Sequence, residues 1–276
     1  MKSIWAQSLE TMRATGAKDA AGATRETIQP WFNELGALLD KHRYKSCNIY
    51  NMDETGYGMG MEQPTQIIHD TAEEDRKAKS MKLSEGQTEW VSTLECIRAD
   101  GTALSPMVIY KAEGHLNPGW IPNDSSLAGW MWKTSKTGWT NDYLELWWLE
   151  YHFIPLTQPF DTSDRRLLLV DGYSIQSAPF IALCIQHNID LMVILARTAH
   201  IMQPLDIAIF GQLKRMLAAQ SNMEANHAPG PARKQRWAIA FAMARQQALS
   251  KRNIDIGWKN AGISPFTPAQ VIRRLP

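Results

Sequence analysis

The chain has 276 residues, of which 44% are hydrophobic and 21% charged, with a net charge of +1. That length supports one large α/β domain, or two small ones, around a sizeable core, and the composition is too apolar for a disordered chain. The longest apolar runs, residues 167–170 and 191–196, fall far short of the ~18 residues a membrane helix needs, so no membrane partner is expected.

The first residues (MKSIWAQSLETMRATG) lack the apolar stretch of a signal peptide, which points to an intracellular chain. Residues 24–43 space Ile28, Trp31, Phe32, Leu35, Leu38 and Leu39 by three and four, the stripe of an amphipathic helix. A short strand is expected over 48–53, ending in a turn-like ETGYGMG, and the polar stretch 63–86 reads as an exposed loop. Residues 89–99 and 104–111 are strand-like and joined by Asp100-Gly101, a hairpin signal that makes them antiparallel neighbours.

Residues 114–138, rich in Gly, Pro, Asn and Trp, read as an irregular connection. Thr140 or Asn141 then caps a helix carrying Tyr143, Leu144, Trp147, Trp148 and Tyr151. An apolar strand over 165–171, a helix over 178–187 and a second strand over 190–195 form a parallel βαβ pattern, expected to be right-handed. A helix from Pro204 to about residue 219 follows, with Ile207, Phe210, Leu213 and Leu217 inward, and a final helix over 234–249. An antiparallel unit followed by a parallel one predicts a ribonuclease H-like mixed sheet flanked by helices. The expected organisation is a helical lead (1–45), a catalytic domain (46–220) and a basic helical segment (221–276).

Three aspartates stand at element ends: Asp53, Asp171 and, in a first helical turn, Asp206. An acid at the carboxyl end of a buried strand faces the ligand crevice of an open α/β sheet. The helix dipole is expected to favour ionised Asp206. Converging carboxylates stay ionised together only beside cations, and hard oxygen donors suit Mg²⁺ or Mn²⁺. Two such ions are the expected cofactors, in the arrangement that serves phosphodiester chemistry. The three cysteines, Cys47, Cys96 and Cys184, fit neither a disulfide framework nor a CxxC zinc site, and no serine lies in a GxSxG setting.

Six blocks in order carry a family likeness: NIYNMDETGYGMG, EWVSTLECIRADGTALSPMVIYK, GWTNDYLELWWLEYHF, RRLLLVDG, HIMQPLDIAIFGQLKR and AGISPFTPAQVI. With 34 residues between Asp171 and Asp206, the chain resembles the DDE/DDD catalytic domain of the pogo branch of mariner-like transposases. The resemblance implies that Asp53, Asp171 and Asp206 are both the catalytic and the metal-binding triad. It implies a metal-dependent endonuclease and strand-transfer activity on DNA, a nuclear location, and a homodimer as one possible assembly. Only about 25 residues precede the first matching helix, so the helix-turn-helix region that often accompanies such domains is expected to be missing. Tyr173 and Gln176 stand where the family commonly has histidines, while His200, Gln203 and Pro204 are retained; Tyr173, Gln176 and His200 are the accessory candidates. Because Tyr and Gln supply no imidazole, a second reading is a catalytically impaired, transposase-derived nuclear DNA-binding or assembly protein.

Charge is unevenly spread. Residues 207–276 hold eleven Lys/Arg against Glu224 and Asp255, a net +9 that leaves −8 on the rest. Arg233, Lys234, Arg236, Lys251 and Arg252, flanking one helix, are the candidate phosphate contacts. An exposed ring among Trp120, Trp130, Trp132 and Trp139 could stack on an unpaired base, although packing accounts for most of them.

Overall fold

The computed structural model describes residues 23–59, 89–171, 177–221 and 230–275. The expected loop over 63–86 lies outside the described residues. Helix α1 (Arg25–His42) forms where the stripe placed it, with Thr24 and Thr27 exchanging capping hydrogen bonds and Ile28, Trp31, Phe32 and Leu35 buried.

Among the described residues six strands make one sheet: β1 (Ile49–Met59), β2 (Glu89–Arg98), β3 (Met107–Lys111), β4 (Met131–Ser135), β5 (Arg166–Asp171) and β6 (Ile189–Ile194). They lie in the order β4-β3-β2-β1-β5-β6. The β1–β2 and β2–β3 pairs are antiparallel, while β1–β5, β5–β6 and β3–β4 are parallel. The β2–β3 pairing follows the Asp100-Gly101 signal: Gly101 takes φ +90°, and Asp100 Oδ1 accepts from the Thr102 amide at 3.0 Å. Strand β5 is apolar from Leu167 to Val170 because both of its faces are covered, and these four residues are fully buried.

Helix α2 (Asp142–Trp148) starts on Asn141, whose side chain accepts from the Leu144 amide at 3.0 Å, and runs on through a π turn, Leu149–Phe153. Then come α3 (Ala178–Gln186) between β5 and β6, α4 (Ala199–Met202), α5 (Pro204–Ala208), α6 (Phe210–Ser221), α7 (Gly230–Ala248), α8 (Lys251–Asn260) and α9 (Ala269–Ile272). One face of the sheet packs on α1, α5 and α8, and at its far end on α6 and α7. The opposite face packs on α2 and α3.

Several expectations are corrected. ETGYGMG is no turn: β1 continues through it to Met59, paired with β2. A Cβ on Gly56 would come within 2.3 Å of the Trp90 ring and 2.6 Å of Trp139, so this glycine serves packing. The segment 114–138 contains β4, a parallel edge strand. The helix expected from Pro204 is two, α5 and α6, and α7 is followed by α8 and α9. Tyr143 and Tyr151 are exposed, whereas Leu144 and Trp148 on the same helix are buried.

Candidate active site at the carboxyl end of β5

The parallel register aligns Asn51 with Leu169. Two residues further on in each strand come Asp53 and Asp171, and side chains two apart share a face. Both aspartates therefore lie on the face that carries Ile49, Leu167 and Leu169, against which α5 packs. That helix brings Asp206 to the same edge. Asn51 makes the link: its Nδ2 donates to Leu169 O at 3.2 Å and to Gln203 Oε1 at 3.3 Å, and its Oδ1 accepts from the Leu205 amide at 3.1 Å.

Electrostatically, the three acids sense one another. Burial, then Asp206 and Asp171, push the Asp53 carboxyl well above its ordinary value. The buried Gln203 side chain favours ionised Asp53, although its Nε2 completes no hydrogen bond among the described residues. Asp206 opens to solvent, yet the protein packed around it and the nearby Asp171 raise its carboxyl, against the opposing charges of Lys214 and His200. Asp206 is expected from the sequence to be favoured as an anion by its helix, whereas α5 has only five residues, and burial and the neighbouring Asp171 raise the carboxyl. Among the described residues, no three His, Cys, Asp or Glu side chains are gathered closely enough to hold an ion as they stand. The donor set still fits one: all three are hard carboxylate donors, and burial and mutual repulsion, which a cation would offset, hold two of them up in pKa.

A second pair of acids borders the site. Glu54 accepts from Ser92 Oγ at 2.5 Å, from the Thr140 amide at 2.9 Å and from Thr140 Oγ1 at 2.6 Å. Glu145, buried in α2, has its carboxyl pushed up to about 8, first by burial, with Glu54, Asp142 and Asp171 adding to it. Its position after the Asn141 cap places it there, a proximity that no local motif announces.

Tyr173 and Gln176 lie outside the described residues. His200 is exposed on α4, near enough to act on Asp206. Of the five basic candidates, Arg236, Lys251 and Arg252 are exposed and Arg233 is half-buried. Lys234 is buried; it ion-pairs with Glu89 and lies 4.5 Å from the centre of the Trp120 ring. The five do not flank a single helix end to end, since Lys251 and Arg252 open α8. Among the four insert tryptophans, Trp120, Trp130 and Trp132 pack around Tyr110 and Phe241, and Trp139 is 39% exposed. Lys214 was missed as a site residue: it sits half-buried on α6, 6.0 Å from the centre of the Tyr57 ring and close enough to lower the Asp206 carboxyl. Its spacing of eight from Asp206, about two helical turns, was the available signal.

A mixed six-stranded sheet flanked by helices, with Asp171 at the carboxyl end of β5 and Asp53 on the adjoining strand, defines a ribonuclease H-like fold. A solved structure of the Mos1 mariner paired end complex with Mn has the same fold, with a TM-score of 0.50 at 13% identity over 90% of this chain and 64% of that one. The Mos1 strand transfer complex aligns with a TM-score of 0.48 at 11% identity, over 92% and 63% of the two chains. The family model for the DDE superfamily endonuclease matches residues 87–258, and the chain belongs to that family. A relative from Cochliobolus lunatus, named MFS-type transporter clz9, is 32% identical over 243 residues, which are 85% of this chain and 26% of that protein. The chain thus spans about a quarter of the curated relative and less than two thirds of the Mos1 chains. Among the described residues, no helix is long and apolar enough to cross a membrane.

Proposed function

We propose that the chain is the catalytic domain of a cut-and-paste transposase, cleaving DNA phosphodiester bonds and joining strands with the help of divalent metal ions. The observation that supports this reading is that Asp53 and Asp171 share one face of the sheet and that Asp206, from a third sequence block, lies near enough for the three charges to act on one another. These residues would hold two Mg²⁺ or Mn²⁺ ions, which when bound supply activation of water or a 3′-hydroxyl and charge stabilisation at the leaving oxygen. The Mos1 structure of like fold is described with Mn, which makes Mn²⁺ the first ion to test.

The chain's own residues supply the rest. Carboxylates repel phosphate, so a DNA backbone needs compensating cations near the site. Lys214, held against Tyr57 beside Asp206, is placed to meet the phosphate nearest the reacting bond. Arg233, Arg236, Lys251 and Arg252 extend the positive field outward along α7 and α8, and contacts of this kind position the duplex without reading its sequence. His200 offers an imidazole beside Asp206 to carry a proton. Such a substrate implies a nuclear location, and a homodimer would allow two DNA ends to be handled together.

The test is nicking of supercoiled plasmid in Mn²⁺ or Mg²⁺, with Asp53→Asn and Asp171→Asn as controls. Nicking by the parent and not by either variant supports the proposal. A parent that binds duplex DNA without nicking it supports the second reading, a DNA-binding or assembly protein, in keeping with Tyr173 and Gln176, which supply no imidazole where the resemblance leads one to expect histidines.

A further inference from the structure

We propose that Asn51 is the positioning residue of the carboxylate site, one buried amide that sets the mutual offsets of all three aspartates; this rests on the metal-dependent reading above. Each of its partners stands at a short, fixed distance in sequence from an acid. Asn51 itself is two residues before Asp53 and shares its face. Leu169, whose carbonyl accepts from Asn51 Nδ2, is two residues before Asp171. Gln203 and Leu205, which take the other Nδ2 hydrogen and fill Oδ1, are three residues and one residue before Asp206. One side chain thereby ties together the three segments that carry the acids.

The chemistry of the amide makes the arrangement specific. Nδ2 has two hydrogens and both are used; Oδ1 faces a backbone N–H that can only donate. Reversing the amide would set Nδ2 against the Leu205 N–H and Oδ1 against the Leu169 carbonyl, losing both bonds. Only Asn fits: Asp has no hydrogen for Leu169 O or Gln203 Oε1, and Leu has neither donor nor acceptor. Asn51 and Gln203 are fully buried, so these bonds do not compete with water. Gln203 extends the link, because accepting from Asn51 through Oε1 fixes the orientation of a fully buried amide three residues before Asp206. Asn51 would act on the carboxylates through the segments that carry them; loss of partners bonded to metal ligands themselves typically costs 10–100-fold in metal affinity, which sets the scale of the effect.

The experiment compares Asn51→Leu with Thr157→Val. Thr157 is a buried hydroxyl that donates to Phe153 O at 2.6 Å and receives Arg166 Nη1 at 2.8 Å, on the opposite face of the sheet from the aspartates. Calorimetric titration with Mn²⁺ should show at least a tenfold weaker affinity for Asn51→Leu and no change for Thr157→Val, with both variants folded by circular dichroism. Amide hydrogen exchange, followed without metal, should speed up at least tenfold in residues 203–209 of Asn51→Leu and stay at parental rates in β6. Equal losses of Mn²⁺ affinity in the two variants would reduce Asn51 to a general stability role and overturn the proposal. A parent that binds no Mn²⁺ removes the metal reading; exchange then decides alone, and parental rates over 203–209 would overturn the positioning role. If Asn51→Leu fails to fold, Asn51→Ser is measured in its place, with the same outcomes.

Discussion

Arg245 closes on Glu95 with Nε 3.0 and 3.1 Å from the two carboxylate oxygens and Nη2 2.9 Å from Oε2, while Nη2 also reaches the Leu104 carbonyl at 2.5 Å. Glu95 is fully buried and stands opposite Asp53 in the β1–β2 ladder, so α7 is fastened to the sheet one strand away from the candidate site. Removing one member of such a pair leaves the other buried and uncompensated, which costs about 3–5 kcal/mol. Glu95→Ala should destabilise by that amount in urea denaturation, whereas Glu95→Leu combined with Arg245→Met should cost much less. A double variant as unstable as the single one would show that packing, and not charge, holds α7.

The same pairing divides the basic segment. Lys234 is taken up by Glu89, Arg245 by Glu95, and Lys251 shares Asp255 at 2.8 Å on the surface. Arg236 and Arg252 are exposed, and Lys214 has no ion pair among the described residues. Replacing Lys214, Arg236 and Arg252 with Ala should lower the log–log salt slope of DNA binding by roughly 0.9 per lost contact, alike for two unrelated duplexes in fluorescence anisotropy. Lys234→Met should instead lower the melting temperature and leave the slope as it was. An unchanged slope in the triple variant would return these residues to a solvated surface.

What could be read from the sequence was local. Asn141 as a cap, Asp100-Gly101 as a hairpin and the stripe of α1 all declare themselves within a few residues, and all formed as read. The misreadings came from demands set by distant neighbours. Gly56 looks like a turn residue until Trp90 and Trp139 are seen lying over it. Gly257 sits inside α8 because a Cβ there would come within 2.6 Å of the Pro204 carbonyl, a contact between segments some fifty residues apart. Strand β4 shows no clean alternation, since Trp130 and Trp132 stack on each other beside Tyr110 and β4 lies at the sheet's edge. Asp171 was legible as a strand end and Asp206 as an early helical residue, whereas Asp53, read as the end of a strand, lies inside β1, which runs on to Met59; the role of Asn51, which depends on what lies across the sheet, was not legible.

Glu145 gives the apo protein a pH dependence of definite sign. Its folded carboxyl is held at about 8 by burial, against an ordinary 4.5, so between those values the folded state binds a proton that the unfolded chain has lost. Its contribution is fully present below about 4.5 and is lost as pH rises through about 8, with a limiting slope of about 1.4 kcal/mol per pH unit for one proton. Glu145→Gln should flatten the fall in unfolding free energy between pH 6 and pH 8 and gain roughly 1–3 kcal/mol over the parent at pH 8. Parallel pH profiles for the two proteins would mean that Glu145 is ionised at neutral pH in the folded state.

Asp53 carries the opposing demands of stability and activity in one side chain. Its folded pKa is raised by burial and by Asp206 and Asp171, so ionisation costs the folded state free energy that the unfolded chain does not lose. Its stabilising contribution is fully present below its ordinary value of 3.8 and is lost as pH rises through the folded value; at neutral pH the metal-free protein bears that strain. Asp53→Asn removes the charge and keeps the shape. The variant should therefore be more stable than the parent at pH 7 without metal, because it carries no charge that burial and the two neighbouring acids oppose. Adding Mn²⁺ should reverse the order, because binding to the folded state alone stabilises the parent in proportion to the logarithm of ion concentration over dissociation constant. The variant should respond weakly to the ion and lose DNA nicking. Melting curves of both proteins at pH 5, 6 and 7, with and without Mn²⁺, check the stability order, and the plasmid assay checks the nicking. If Asp53→Asn melts below the metal-free parent at every pH, the carboxylate is making a stabilising contact that outweighs its repulsion by Asp171 and Asp206.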